Sequence, residues 1–282
     1  MSKFLSSVAR QEFDSMVKHA YQSAGKLKGA VTLRDGVNGD IYKFRRMGKG
    51  LANQKASQAD ITPMDITHNL INCVLENWIA GEYTDVFDQA EVNFDEQSEL
   101  AKVIASALGR RQDQLVIDAL GNIDASAGTS QTPIAVGGTG FTVAKVRQAG
   151  AVFDGTGMGM EGRYIAWNKT QKQQLLGSTE ATSADYMNVK ALVNGDIDTF
   201  YGFRFILIDD RDENGLPGGG TADATAYAFH KDAIGLATGM DIRTEVNYIA
   251  EKTSWLCTGL LKAGSAVRDA QGVVEIHTSD LV

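Results

Sequence analysis

One stretch, Asn93–Gly121 (NFDEQSELAKVIASALGRRQDQLVIDALG), constrains the fold more than any other. Asn93 stands as an N-cap, and Glu96 three residues on completes a capping box. Leu100, Ile104, Leu108, Leu115 and Ala119 then recur at helical spacing, so one stripe of the helix is apolar. Gly121 falls where a left-handed residue ends a helix. At 1.5 Å per residue such a helix is about 40 Å long, well beyond the mean helix of a globular protein. A chain with one helix of this length is expected to be built around it as a spine.

The rest of the chain is rich enough to bury a core on that spine. It is 43% hydrophobic over 282 residues, with 11 Phe, 8 Tyr and 3 Trp, so it is not a disordered tail. Glycine (30) far outnumbers proline (3), which puts tight turns on Gly and leaves helices unbroken. A net charge of −8 opposes nonspecific grip on nucleic acid, which needs a basic footprint. Cys73 and Cys257 are far apart and lack CxxC spacing, so they read as buried thiols in a reducing compartment. No apolar run approaches the length of a membrane span. The opening MSKFLSSVAR lacks the long apolar core of a secretory signal. The expectation is a chain made and kept in cytoplasm, or released by lysis.

Residues 6–24 read as an amphipathic helix, with Phe13, Met16, Val17, Ala20 and Tyr21 on one side. It packs in the core or docks on a neighbouring subunit as an arm. From Gly29 to Asp85 the pattern turns strand-like: Val31–Leu33, Ile41–Phe44, and an apolar run from His68 to Tyr83. Within that run the alternation Ile71, Cys73, Leu75 fits a strand, with a helix not excluded. The small polar stretch 48–60 between the runs makes a tip. Two long arms joined by a flexible tip are marginal alone in water, so the ribbon is expected to lie on a neighbouring subunit. Charge agrees. Lys26, Lys28, Arg34, Lys43, Arg45, Arg46, Lys49 and Lys55 make a basic block, and Glu76, Glu82, Asp85, Asp88, Glu91, Asp95, Glu96 and Glu99 an acidic one. Such blocks steer and register a contact, or else form two solvated faces that never meet.

Beyond the spine, residues 122–140 are small and turn-rich, as at a junction. Helices are expected over Phe141–Phe153, Lys169–Leu176 and Ala184–Val193, and strands over Arg163–Trp167 and Phe200–Ile208. Ala226–Leu236 is a strand-and-turn piece, and strands run from Val246 to the end. This mixture gives an α/β or α+β lobe over about 131–240, with the last strands returning to the spine helix. No internal repeat is visible. Long arms, a ribbon and a spine together read as a self-assembling shell subunit.

Chemical motifs are weak. Gly157–Gly162 matches GxGxxG, but a helix precedes it and a strand follows, the reverse of a dinucleotide fold. Gly137–Gly140 leads into a helix, yet no Lys-Ser/Thr follows, so it is no P-loop. Asp210, Asp212 and Asn214 match the first half of a calcium loop, with Gly215 at the sixth position. Thr221 stands where the bidentate acid belongs, so a solvated acidic turn is the simpler reading. His19, His68, His230 and His277 are scattered, with no metal-like pair, and no Ser sits in GxSxG. Neither a cofactor nor an enzymatic activity is expected.

At Glu82–Asp85, Phe87-Asp88, Phe94-Asp95 and Asp113–Leu120 the chain resembles the major capsid proteins of tailed bacteriophages with the Hong Kong 97-type fold. Leu192–Ile197, Tyr201–Ile206 and the terminal Gly272–Ile276 strand are similar in order. The resemblance covers nearly the whole chain. It implies an α+β Hong Kong 97-like capsid fold: an N-terminal arm (1–30), an extended hairpin loop (31–85), a peripheral domain with the long spine helix (86–130 and 241–282) and an axial domain (131–240). It implies pentamers and hexamers closing into an icosahedral shell around double-stranded DNA, held without sequence-specific binding. A scaffolding protein, a portal and a decoration protein are the further partners it implies, with assembly in the host bacterial cytoplasm and no membrane. The subunit interface is expected at Arg45, Arg46, Lys49, Trp78, Glu82 and Asp85. Some members join a loop lysine to a neighbour's asparagine; no motif here singles out such a pair at Lys49 or Lys55. An encapsulin-type compartment of the same fold remains an alternative, as does a soluble enzyme or calcium-binding domain.

Overall fold

A computed structural model describes residues 23–86, 96–177, 199–218 and 223–279. The expected helix over 184–193 and the capping residue Asn93 lie outside these residues, as does the expected helix over 6–24 except for Ser23 and Ala24, which are not helical. The spine is present as α1, Glu96–Gly121. Its buried apolar side chains are Ile104, Leu108, Val116, Ile117 and Leu120, while Leu115 is half-buried. Gly121 is not a left-handed stop: it stays helical and has no positive φ. A Cβ there would meet the Tyr227 hydroxyl at 3.0 Å, so the glycine allows close packing at the helix end.

Among the described residues the strands form two sheets and a ribbon. One sheet runs in the order β1-β9-β10-β4, from Thr32–Asp35, Ile234–Ile249, Ser254–Val267 and Glu76–Asp85. The long β9–β10 hairpin begins well before Val246, where sequence reading started it. Gly259, Cys257 and Leu261 of β10 face α1 and close a small core with Ile104 and Leu108.

The other sheet runs β11-β8-β5-β7-β6, from Val273–Ser279, Asp223–His230, Arg163–Trp167, Phe203–Leu207 and Thr199–Phe200. The expected single strand over 200–208 is broken by a turn at Tyr201-Gly202. Both residues have positive φ (51° and 79°), the backbone of a type I′ hairpin that a continuous strand cannot hold. This sheet is buried on both faces. Ile165, Trp167, Phe203, Ala226, Ala228, Val274 and Ile276 pack under α2 (Val143–Thr156) and α3 (Lys169–Gly177). Their neighbours Ala166, Tyr227, Phe229 and Val273 point the other way, into a core shared with Val116, Ile117 and Leu120 of α1. The C-terminal half of the spine thus lies between the sheets. The last strand, β11, joins the five-stranded sheet, whereas β10 takes the place against the helix.

Candidate assembly interface

β2 (Ile41–Met47) and β3 (His68–Val74) pair antiparallel, Ile41 opposite Val74 and Met47 opposite His68. Their period-two alternation sorts the side chains onto two faces. Phe44, Ile71 and Cys73 make the inner face, and all three are buried. The inner face sits on the chain's own body. Gly235 admits the Phe44 ring, since a Cβ there would come within 2.4 Å of it. The Arg268 guanidinium lies 5.5 Å from the centre of that ring. Arg46 pairs with Asp269 at 3.1 Å, and Asn69 donates to the Ser126 carbonyl. The base of the ribbon is therefore held within the subunit, and not by a neighbour as expected for its whole length. Burial also pushes the Cys73 thiol up to about 11, which keeps it protonated and unreactive.

The outer face and tip are different. Ile41, Met47, Leu70 and Val74 are 52–64% exposed, although all are large and apolar. In the tip, residues 48–67, Leu51 and Ile61 are 81% and 80% exposed. Lys43, Arg45, Lys49 and Lys55 form no ion pair among the described residues. Of the other basic residues of the block, Lys26 pairs with Asp209, Lys28 with Asp241 and Arg46 with Asp269, while Arg34 lies over the Tyr42 ring at 5.9 Å. None of these partners belongs to the acidic block.

The acidic side of the expected contact is β4, which among the described residues pairs with β10 alone and so forms a sheet edge. Trp78 turns inward, packs near Leu108 and Leu261, and stacks under Arg111 at 4.3 Å. Glu82 is exposed and Asp85 half-buried, and Ile79, three residues before Glu82, is 70% exposed. Beside this edge an open groove of about 530 Å³ is lined by Glu76, Trp78, Arg111, Leu115, Asp118 and Asp124. Of the six residues expected at the interface, Arg45, Lys49 and Glu82 are exposed, Asp85 is half-buried, and Arg46 and Trp78 are committed within the chain. The exposed apolar residues of the ribbon escaped sequence reading. Their signal was the same alternation, IYKFRRM and HNLINCV, read on its other phase.

The calcium-loop segment is organised by cations of the chain itself. Asp210 pairs with Lys169, Glu213 with Arg110 at 3.0 Å, and Asp209 with Arg211 and Lys26. Asn214 is left-handed (φ 88°), and the Gly215 amide donates to Gln114. Asp210, Asp212 and Asn214 thus sit on a loop strapped to its neighbours, and Thr221 lies outside the described residues. Among the described residues no cluster of three or more His, Cys, Asp or Glu is placed to hold a metal ion. In the GxGxxG loop the Arg163 guanidinium donates to the Gly159 and Met158 carbonyls, filling the space with positive charge and acceptors. At Gly137–Gly140 the Lys145 ammonium donates to the Val136, Thr139 and His277 carbonyls, each at 2.9 Å. Its burial lowers its pKa, and the three carbonyls satisfy it. No helix among the described residues is long and apolar enough to cross a membrane.

The chain was compared with known families and structures. A family model described as phage capsid protein matches residues 5–280. The capsid structure of cyanophage P-SCSP1u aligns with 97% of this chain and 94% of its own at 18% identity, with a TM-score of 0.74. A chain of Mycobacterium phage Che8 aligns with 94% of this chain and 95% of its own at 18% identity, TM-score 0.72. The head structure of Helicobacter pylori bacteriophage KHP40 covers 95% of both chains at 9% identity, TM-score 0.76. No curated protein matches. The α+β fold, with its spine helix between two sheets and its projecting ribbon, is that of phage capsid subunits of the Hong Kong 97 type. The chain belongs to the phage capsid protein family and is a shell subunit of a bacteriophage virion, not an enzyme.

Proposed function

We propose that this subunit forms pentamers and hexamers that close into an icosahedral shell around double-stranded DNA. The carrying observation is the ribbon: its inner face is seated on its own subunit, while its outer face and tip expose Met47, Leu51, Ile61 and Leu70. A patch of this kind on a single chain marks an interaction surface. Closed, symmetric assembly covers such a surface on every copy at once. The unpaired bases Lys43, Arg45 and Lys49 of one ribbon meet the acidic β4 edge, with Glu76 and Glu82, of the next subunit. A net charge of −8 suits a container that encloses DNA without gripping it.

In this reading residues 1–30 act as an arm and 31–85 as the extended hairpin. Residues 86–130 with 241–282 form the peripheral domain, and 131–240 the axial domain. Within the hairpin the reach is supplied by 41–74, because β1 and β4 belong to the sheet beside α1. Assembly takes place in the host bacterial cytoplasm, with a scaffolding protein, a portal and a decoration protein as partners.

The test is electron microscopy and size-exclusion chromatography of the full chain beside a variant lacking 48–60. The expected result is closed particles from the first and folded, unassembled subunits from the second. Normal particles from the deletion would refute the role given to the tip. Particles that form in the host but hold protein cargo in place of nucleic acid would indicate a compartment of the same fold.

A further inference from the structure

Three segments meet on one side of α1, about midway along it: the root Ser23–Leu27, the helix positions Arg110–Gln114, and the loop Asp209–Gly215. At the centre Asp113 and Arg211 pair at 3.2 Å, each side chain only 1% exposed. The two carboxylate oxygens of Asp113 also accept the Lys26 and Leu27 amides, each at 2.8 Å. Arg211 reaches on to Asp209 at 3.0 Å, and the Ser23 hydroxyl donates to the other oxygen of Asp209 at 2.5 Å. Around this centre, Arg110 binds Glu213 of the loop and the Ser23 carbonyl of the root. Gln114 holds Gly215 through its amide and carbonyl. The root crosses the helix at Gly25 over Gly109, so closely that a Cβ on Gly25 would lie 2.7 Å from the Gly109 carbonyl oxygen.

No segment here is held independently. Asp113 divides its acceptors between the root and the loop arginine, and Asp209 divides its own between the root hydroxyl and that same arginine. Lifting the root strips Asp113 of two donors and Asp209 of two, the Ser23 hydroxyl and the Lys26 ammonium, and opens the Asp113–Arg211 pair to water. A buried pair that loses part of its hydrogen-bond shell no longer offsets its desolvation. Lifting the loop removes Arg211 and has the converse effect on the root.

We propose that this junction is a mechanical latch that couples the segment leading to residues 1–22 to the loop that follows β7 of the five-stranded sheet. Displacement at either side weakens the hold on the other. Coupling of this kind is reciprocal by thermodynamic necessity. Its use within a shell, where a pull on the N-terminal segment by another copy would loosen the 209–215 loop, rests on the proposed function. The coupling itself is a property of the single chain.

Hydrogen exchange read by mass spectrometry on the unassembled full chain tests it, so that failure here is separate from failure to assemble. Ser23→Ala removes the hydrogen bond from the root to Asp209 and leaves the Gln114–Gly215 bonds at the other end of the loop in place. It is expected to speed exchange of the Gly215 amide, which is bound to Gln114, by at least about fivefold. Gln114→Met keeps the side-chain volume, removes the bonds to Gly215 and does not touch the root. It is expected to speed exchange of the Lys26 and Leu27 amides by a similar factor. Amides of β9 and β10 should be unchanged in both variants. Faster exchange confined to the side that carries the substitution would overturn the latch. So would loosening that spreads through β9 and β10, since that is general destabilisation and not coupling.

Discussion

The five-stranded sheet and the two-stranded ribbon both sort their side chains onto two faces, and the chain treats those faces in opposite ways. Both faces of the sheet are buried, one under α2 and α3 and the other in the core shared with α1. Only one face of the ribbon is covered, and the other carries apolar and basic side chains into water. The sheet is finished within one chain; the ribbon is half finished. The difference separates what stabilises the subunit from what is left for assembly.

The comparison breaks if the two regions respond alike to the same chemistry. A carboxylate at Ile165, which is 0% exposed in the sheet, is the severest change. Ile165→Asp buries a charge without a partner and should cost about 4 kcal/mol or more, leaving no soluble folded subunit. Leu70→Asp, on the outer face of the ribbon, should leave the melting temperature of the subunit unchanged and reduce particle yield. Equal damage to folding from both would end the distinction.

The seam between ribbon and body sharpens it. Gly235→Ala would place a Cβ within 2.4 Å of the Phe44 ring. Overpacking of this kind should cost about 2 kcal/mol in denaturant unfolding and tilt the ribbon, so folded subunits should assemble poorly. A smaller contrast lies one residue apart. Arg46→Ala loses the partly exposed pair with Asp269 and should cost about 1 kcal/mol. Arg45→Ala should change stability by less than about 0.5 kcal/mol and weaken the salt dependence of assembly. Reversal of those two results would mean that Arg45, and not Arg46, is committed within the subunit.

The smallest effect is on pH. Burial alone would raise the Asp209 pKa, but hydrogen bonds from Ser23 and Arg211 prevail and hold it well below the ordinary carboxylate range. A group lowered on folding adds stability above its unfolded pKa of about 3.9 and loses it as the pH falls toward the folded value. Thermal melts should therefore decline less steeply below about pH 4 in Asp209→Asn than in the parent chain. Identical slopes would show that Asp209 is not linked to folding.

Much of the fold was legible because local periodicity reports it directly. The stripe Leu100, Ile104, Leu108 announced α1, and RYIAW announced β5. Failures came where the deciding contact was remote or depended on backbone dihedrals. Gly121 looked like a stop because glycine often is one, yet the Tyr227 ring, far along the chain, gives it a packing role. FYGFRFILI looked like one strand because its side chains suit a strand; two positive φ angles at Tyr201-Gly202 make it a hairpin. For the candidate interface, charge runs did not distinguish residues committed within the chain from exposed ones. Arg45 and Arg46 are equivalent in composition, and opposite faces of β2 give them opposite fates.

The sequence by itself determined the spine helix, the alternating strands of the ribbon and the segregation of basic and acidic blocks. These follow from spacing and composition, which act within a few residues. Tertiary structure alone decided which face of each strand is covered. It seated Phe44 on Gly235, drew Arg46 to Asp269 and buried Arg211 against Asp113. It also left Met47, Leu51 and Leu70 in water. Periodicity assigns residues to a face; only packing between distant segments determines whether that face meets its own chain or is left for another copy.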